Sequence, residues 1–359
     1  MSASSPPAGP PQEDLSRPLV DPEALERWLD EQLGGPGRVA VERHQAGHSN
    51  ETFFVTRGSD RWVLRRPPRG AFLPTAHDVL REYRVLSALA DTEVRSPTPI
   101  LSCEEPAVIG VPFYLMEKVE GFVIRTELPP GFNDEGSAGA RAAIGEELVD
   151  ALAELHGVDW RAVRLDGWGR PTGYLQRQIK RWNGQLELAT QFSRPLPDLV
   201  RIRDWLSEHV PEDADTTIVH GDYKLDNVIY APDPPARLLS IFDWEMSTIG
   251  DPLADMGWLL SYWRDPDDPP NPIHPELALM TAKGFSTRAE LLARYSERTG
   301  RSMSDIAFYS VLAVWKLAVL LEGSFARHLA GVTDDPFFAQ LEEGVPALGR
   351  RALELIAGA

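Results

Sequence analysis

A chain of 359 residues with 43% apolar positions and ten tryptophans is a globular protein of one large domain or two modest ones, and not a disordered one. Its 54 acidic residues against 36 basic ones give a formal charge of −18, which argues against a nucleic-acid backbone or an anionic membrane as the main partner. The single cysteine, Cys103, excludes intrachain disulfides and cysteine metal clusters and fits a reducing compartment.

Residues 1–20 open with MSASSPPAGPPQEDLSRP, which has neither a basic start nor an apolar run. They read as a flexible Pro/Ser-rich tail, not a signal peptide, and the expected location is cytoplasmic. A helix follows, with Asp21 as N-cap, Pro22 at its first position, Gly34 past its end and an apolar stripe of Leu25, Trp28, Leu29 and Leu33. Three short strands fit RVAVERHQ, TFFVTRG and RWVLRRP, the last two joined by a tight turn. A helix over AHDVLREYRVLSALA and two more antiparallel strands, TPILSCEE and VPFYLMEKVEG, complete a β-rich stretch ending near residue 119.

Beyond Gly121 the pattern turns helical: SAGARAAIGEELVDALAELHGVDW, Tyr174–Phe192, residues 197–209, and at least three helices within 286–358. Only TTIVHG, NVIYA and RLLSIFDW interrupt as strands. The most apolar late stretch, VLAVWKLAVLLEG, is short for a bilayer span and contains Lys316. The organisation is a tail (1–20), a small β lobe (21–119) with a hinge at about 115–121, and a larger helical lobe (122–359).

The densest polar cluster is IVHGDYKLDNVIY, residues 218–230. Its plain reading is a turn between strands, with Gly221 and Asn227 supplying the geometry. Its chemical reading is phosphoryl transfer, in which one carboxylate orients the attacking hydroxyl and two oxygen ligands hold Mg²⁺ against nucleotide phosphates. Asn227 at the start of one strand and Asp243 at the end of the next would bring two such ligands to one edge of a hairpin, with Asp222 in the loop before them.

His220-Gly221-Asp222, Asn227 five residues after the Asp, and the apolar-flanked Asp243 resemble the catalytic loop of the aminoglycoside phosphotransferase/choline kinase superfamily. The resemblance implies an α+β, bilobal, protein-kinase-like fold using ATP, or GTP as an alternative donor, with Mg²⁺. It implies Asp222 as catalytic base, Asn227 and Asp243 as metal ligands, and His220 as organiser of the loop. Lys224 would neutralise charge on the transferred phosphoryl group, its plain alternative being a solvated loop lysine. STIGDPLADMGWLL resembles a further superfamily segment, in which Asp255 would brace the loop through its backbone.

On the nucleotide side, QAGHSNETFFV occupies the place of the phosphate-covering loop, with Gly47, Ser49 and Asn50 near the phosphates. Arg65 stands where a phosphate-binding Lys is expected, a departure that matters because Arg and Lys are not interchangeable. Glu82 is its expected partner, and backbone groups at Glu117–Val119 would read the adenine edge.

VLRRPPRG, GYLQRQIKRW and FDWEMSTIGDPLADMGWLL together resemble one branch, the kinase-like domains found alone in bacteria or fused to acyl-CoA dehydrogenases in animals. That resemblance implies a hydroxyacyl-CoA or related hydroxy compound as acceptor. Arg177, Lys180 and Arg181 on one helix would suit an anionic substrate, or form a solvated basic face. An aminoglycoside or amino-alcohol kinase, and a nucleotide-binding pseudokinase without turnover, stand as alternatives. The expected partner is a small-molecule acceptor; the sequence does not give the oligomeric state.

Overall fold

The computed structural model describes residues 18–44, 50–69, 78–212, 215–271, 273–333 and 335–358. These divide into two compact units, one running to Ala90 and resuming over Pro97–Lys118, the other comprising Asp91–Ser96 and Val119 onward.

In the first unit, α1 (Pro22–Leu33) starts where the Asp21 carboxylate accepts the Glu23 and Ala24 N–H groups at 3.0 and 3.3 Å. It stops at Gly34, whose φ of 76° suits glycine. Then come β1 (Val39–His44), β2 (Glu51–Arg57), β3 (Asp60–Arg66), α2 (Val79–Leu89), β4 (Pro99–Cys103), the short α3 (Pro106–Ile109) and β5 (Phe113–Glu117). The strands form one antiparallel sheet in the order β1-β2-β3-β5-β4.

Alternation along β2, β3 and β5 sends Phe53, Val55, Leu64, Phe113 and Leu115 into one core with Leu25 and Leu29 of α1. Each fully buried leucine contributes on the order of 1.5–3 kcal/mol. The other parity places Thr52, Arg65 and Tyr114 side by side across three strands. Leu19 and Val20, which the sequence places in the flexible tail, are instead packed. Val20 is buried in this core, Leu19 lies against it, and the buried Arg66 guanidinium donates to the Leu19 carbonyl.

In the second unit the helices are α4 (Ala138–His156), α5 (Tyr174–Thr190) and α6 (Pro197–Glu208). After them come β6 (Thr217–Val219), β7 (Val228–Tyr230), β8 (Leu238–Ile241), β9 (Thr248–Gly250), α7 (Leu253–Tyr262), α8 (Arg288–Thr299), α9 (Ile306–Leu329) and α10 (Leu341–Ala357). Two small antiparallel ladders, β6–β9 and β7–β8, sit among these helices. α9 runs 24 residues, longer than its most apolar sequence stretch, and by length and composition could cross a membrane. Its apolarity serves the core: 67% of its most apolar window is buried, and α5, α6, α7 and α10 pack against it.

Asp91–Ser96 joins this unit although it lies between α2 and β4. The Arg95 carbonyl accepts from the Ile241 N–H at 2.7 Å, and its guanidinium pairs with Glu147 at 2.5 Å and Glu154 at 2.7 Å. Burial works against that cation, but the two carboxylates outweigh it and raise its pKa.

Candidate active site

The loop between β6 and β7 carries the motif, and its path is dictated by buried polar contacts. Asp255, in the first turn of α7, accepts the backbone N–H groups of His220 and Gly221 at 2.6 and 2.8 Å. That is the bracing expected of it. His156 Nε2 donates a third bond to the same carboxylate at 3.3 Å, and His156 Nδ1 accepts from the Tyr295 hydroxyl at 2.6 Å. Burial alone would raise the Asp255 pKa; His156 and the loop amides outweigh it and hold the carboxyl below its usual range. Burial conversely lowers the His156 pKa, so this imidazole is neutral.

Gly221 has φ 87°, and a Cβ there would meet the Met246 carbonyl oxygen at 2.7 Å, so the position requires glycine. His220 is fully buried. Its Nε2 donates to the Phe242 carbonyl at 3.0 Å and its Nδ1 accepts the Asp222 N–H at 3.3 Å, so both ring nitrogens are spent on the loop and its neighbour strand. The Tyr223 hydroxyl ties the loop to the Leu148 carbonyl of α4 at 2.7 Å.

The Asp222 carboxylate receives three side-chain donors. Trp258 Nε1–H donates to Oδ1 at 2.8 Å, while Lys224 Nζ and Asn227 Nδ2 donate to Oδ2 at 2.6 and 2.7 Å. Burial pushes this pKa upward, but Lys224, Lys316 and His220 prevail and hold it below the ordinary carboxylate value. The group is therefore an ionised, weak base in a fixed orientation, which suits positioning a hydroxyl better than removing its proton in the ground state.

Asn227 and Asp243 lie at one end of the β7–β8 ladder, where the Phe242 N–H donates to the Asn227 carbonyl at 3.0 Å. The Asn227 amide nitrogen is directed at both the Asp222 carbonyl and carboxylate, so its amide oxygen points away from them. Asp243 adopts φ 68°, one of two non-glycine positive-φ residues among those described. That conformation costs about 1 kcal/mol or more and persists where the surroundings demand it. One amide oxygen and one carboxylate are hard oxygen donors of the kind Mg²⁺ accepts alongside water and phosphate, so the donor chemistry fits this ion.

In the first unit Glu82, 1% exposed, gathers Arg65 at 3.2 Å, Asn50 Nδ2 at 2.6 Å and the Tyr114 hydroxyl at 2.9 Å. The Arg65–Glu82 pairing read from the sequence is therefore present, and Asn50 joins it. Gly47 and Ser49 lie outside the described residues. Glu117 closes β5 and is tied to Thr98. Its N–H donates to the Thr98 carbonyl at 2.8 Å, its carboxylate accepts the Thr98 hydroxyl at 2.9 Å, and the Lys118 N–H is spent on Arg61. These pairings use the Glu117 and Lys118 N–H groups; Val119, named with Glu117 for the adenine edge, falls in the second unit.

The Arg177 guanidinium turns back onto the Thr172 and Arg170 carbonyls ahead of α5, which makes it a tie for that loop. Lys180 and Arg181 are exposed on α5, with Arg181 over the Trp182 ring at 5.4 Å.

Two residues at the site were not singled out for it from sequence. Trp258 lies within a quoted motif but reads as part of an apolar helix. Lys316 reads only as an interruption of an apolar run; its Nζ donates to the Gly221 carbonyl at 2.7 Å and lies 3.9 Å from the Trp258 ring centroid. Burial lowers its pKa to about 8, against the pull of Asp222 and Asp255. A lone cation in the middle of an otherwise apolar helix was the available signal.

Comparison with known proteins adds an independent line. The model of the phosphotransferase enzyme family matches residues 40–300. Over 359 aligned residues the chain is 34% identical to acyl-CoA dehydrogenase family member 11 of Rattus norvegicus, covering 96% of this chain and 45% of that protein. It thus spans less than half of that relative's length. A solved structure of a candidate aminoglycoside phosphotransferase from Ralstonia eutropha matches with a TM-score of 0.80 at 34% identity, covering 94% of this chain and 99% of the other. A choline kinase from Cryptosporidium parvum shares the fold at a TM-score of 0.58 and 14% identity, over 89% and 90% of the two chains. The α+β kinase-like fold expected from the sequence is the fold found.

Proposed function

This chain belongs to the phosphotransferase enzyme family, and from that premise we propose that it transfers the terminal phosphoryl group of ATP to an alcohol hydroxyl of a small molecule in the presence of Mg²⁺. The observation that carries the reading is the Asp222 carboxylate, held ionised and oriented by Trp258, Lys224 and Asn227. The acceptor hydroxyl donates its hydrogen bond to Asp222. As the new oxygen–phosphorus bond forms and the bond to the ADP oxygen breaks, the hydroxyl proton passes to the carboxylate. Lys224, 2.6 Å from Asp222, offsets negative charge on the group in transfer. Asn227 and Asp243 would hold Mg²⁺, which when bound supplies charge neutralisation to the phosphates. In the first unit Arg65, fixed by Glu82, and Asn50 are the nucleotide-binding candidates.

For the acceptor we propose a hydroxyacyl-CoA or related hydroxy compound, a reading to which the relative's name adds only the acyl-CoA part, and that for a protein of which this chain matches 45%. The net charge of −18 supports a small molecule over a nucleic acid or membrane surface as partner. The test is mass spectrometry of 4-hydroxyacyl-CoAs, free hydroxy acids, aminoglycosides and choline after incubation with Mg-ATP, beside Asp222→Asn. A phosphate-sized gain on the CoA ester, cut about 10³-fold in the variant, is the expected result. A gain on an aminoglycoside alone would replace the acceptor, and an unchanged rate in Asp222→Asn would refute the base.

A further inference from the structure

Within the second unit, a cavity of about 270 Å³ opens between the end of α7, the middle of α9, the face of α10 and the segment after α7. Its floor is apolar, made by Leu260, Val314, Leu317 and Leu348. Its titratable lining is Arg264, Arg288, Arg350 and Arg351 against Asp268 and Glu354, with His274 beside them. Four cations against two carboxylates is an unusual balance in a chain of net charge −18.

The imbalance is local. Arg288 is spent on Asp265 and Asp268, with contacts at 3.2 and 2.5 Å. Arg264 approaches Asp268 only to 3.8 Å. Burial, together with the Arg288 and Arg351 charges, outweighs Asp268 and lowers the Arg264 pKa, as expected where positive charges are packed more closely than their counter-ions. Among the described residues Arg351 has one ion-pair partner, Glu354 at 3.4 Å, and Arg350 has none.

Tyr262 stands between the cavity and the catalytic loop. It lines the cavity, while Lys224 Nζ lies 5.5 Å from the centroid of the same ring and Trp258, the donor to Asp222, is 5.4 Å away ring to ring.

We propose that this cavity binds the tail of the phosphoryl acceptor, and that the acceptor is an amphipathic anion. Its apolar chain lies on the α7–α9–α10 floor, a carboxylate or phosphate is held by Arg350 and Arg351, and the hydroxyl-bearing part is directed past Tyr262 toward Lys224 and Asp222. The proposal rests on the kinase reading and narrows its acceptor. A polycationic acceptor would meet these arginines with like charge.

Calorimetric titration of octanoyl-CoA, octanoate and 1-octanol into the wild-type chain, Arg350→Glu/Arg351→Glu and Ala347→Trp tests it without turnover. Both exposed arginines can be reversed without disturbing the core, and Ala347→Trp fills the cavity from α10. Octanoyl-CoA should bind the wild-type chain and bind both variants at least tenfold more weakly, with 1-octanol indifferent to the charge reversal. Octanoate following the same pattern would make a carboxylate sufficient; octanoyl-CoA alone doing so would assign the anion to the phosphates of the carrier. Equal affinity in all three proteins, no binding of either anion to the wild-type chain, or 1-octanol binding as tightly as octanoyl-CoA would overturn the proposal. Loss of phosphoryl transfer to every acceptor with charge-dependent binding intact would instead overturn the kinase reading and leave the cavity assignment standing.

Discussion

Replacing Asp255 by Asn changes one atom in a buried site where three donors converge: the His220 and Gly221 amides and His156 Nε2–H. The amide can keep one oxygen, and its better placement faces His220 and His156, which share Oδ2. Its NH₂ then confronts the Gly221 N–H, which loses a bond to a charged acceptor worth about 1.5–3 kcal/mol and is left unsatisfied. The two surviving bonds lose their charge assistance. Relief of the buried charge returns part of this, so about 3 kcal/mol is expected. Native-state hydrogen exchange of the peptide spanning Thr217–Lys224 is the direct assay. A 3 kcal/mol loss should speed its exchange about a hundredfold, with phosphoryl transfer falling alongside. Because the folded-state carboxyl has a lowered pKa, its contribution is present above the unfolded value and is lost as pH falls through the folded one. The stability gap between wild type and variant should therefore close in acid. Exchange within threefold of wild type at neutral pH would refute the bracing argument.

Trp258→Phe keeps the ring and removes the donor to Asp222 Oδ1; the acid limb of the pH–rate profile should move to higher pH, with kcat falling more than KM changes, and an unmoved limb would deny the positioning role. Lys316 titrates near 8 when folded and 10.5 in its ordinary state, so the unfolded chain binds more protons between those values and stability rises with pH across that window; Lys316→Met should abolish the rise, and parallel stability curves for the two proteins would contradict it. Glu82→Ala strips Arg65, Asn50 and the Tyr114 hydroxyl of one shared acceptor and should cost about 3 kcal/mol by denaturant unfolding as well as weaken nucleotide binding; a loss under about 0.5 kcal/mol would show that the cluster repairs itself.

What could be read from the chain was whatever is local. The strands of the first sheet, the Asp21 cap and the spacing from Asp222 to Asn227 depend on neighbours a few residues away, and periodicity and turn chemistry report on these. The Arg65–Glu82 pair spans 17 residues and was reached by resemblance, not by pattern. Trp258 and Lys316 meet the loop from 36 and 95 residues along the chain. Nothing in an apolar helix pattern says that one indole N–H or one ammonium turns toward a carboxylate or a carbonyl. The tie of Glu117 to Thr98 and the turn of the Arg177 guanidinium onto the Thr172 and Arg170 carbonyls are likewise outside what periodicity reports.

The placement of Arg95 bears on how this chain could be divided. A cut after Lys118 looks like a clean boundary, but it strands Asp91–Ser96 on the fragment to which it does not belong. The remaining piece would hold Glu147 and Glu154 without their shared counter-ion and would leave the Ile241 N–H facing no carbonyl. The second unit is thus completed by six residues borrowed from within the first one's sequence. Splitting the protein into two expressible halves therefore needs three breaks in the chain, after Ala90, Ser96 and Lys118, and a graft of Asp91–Ser96 onto the second unit.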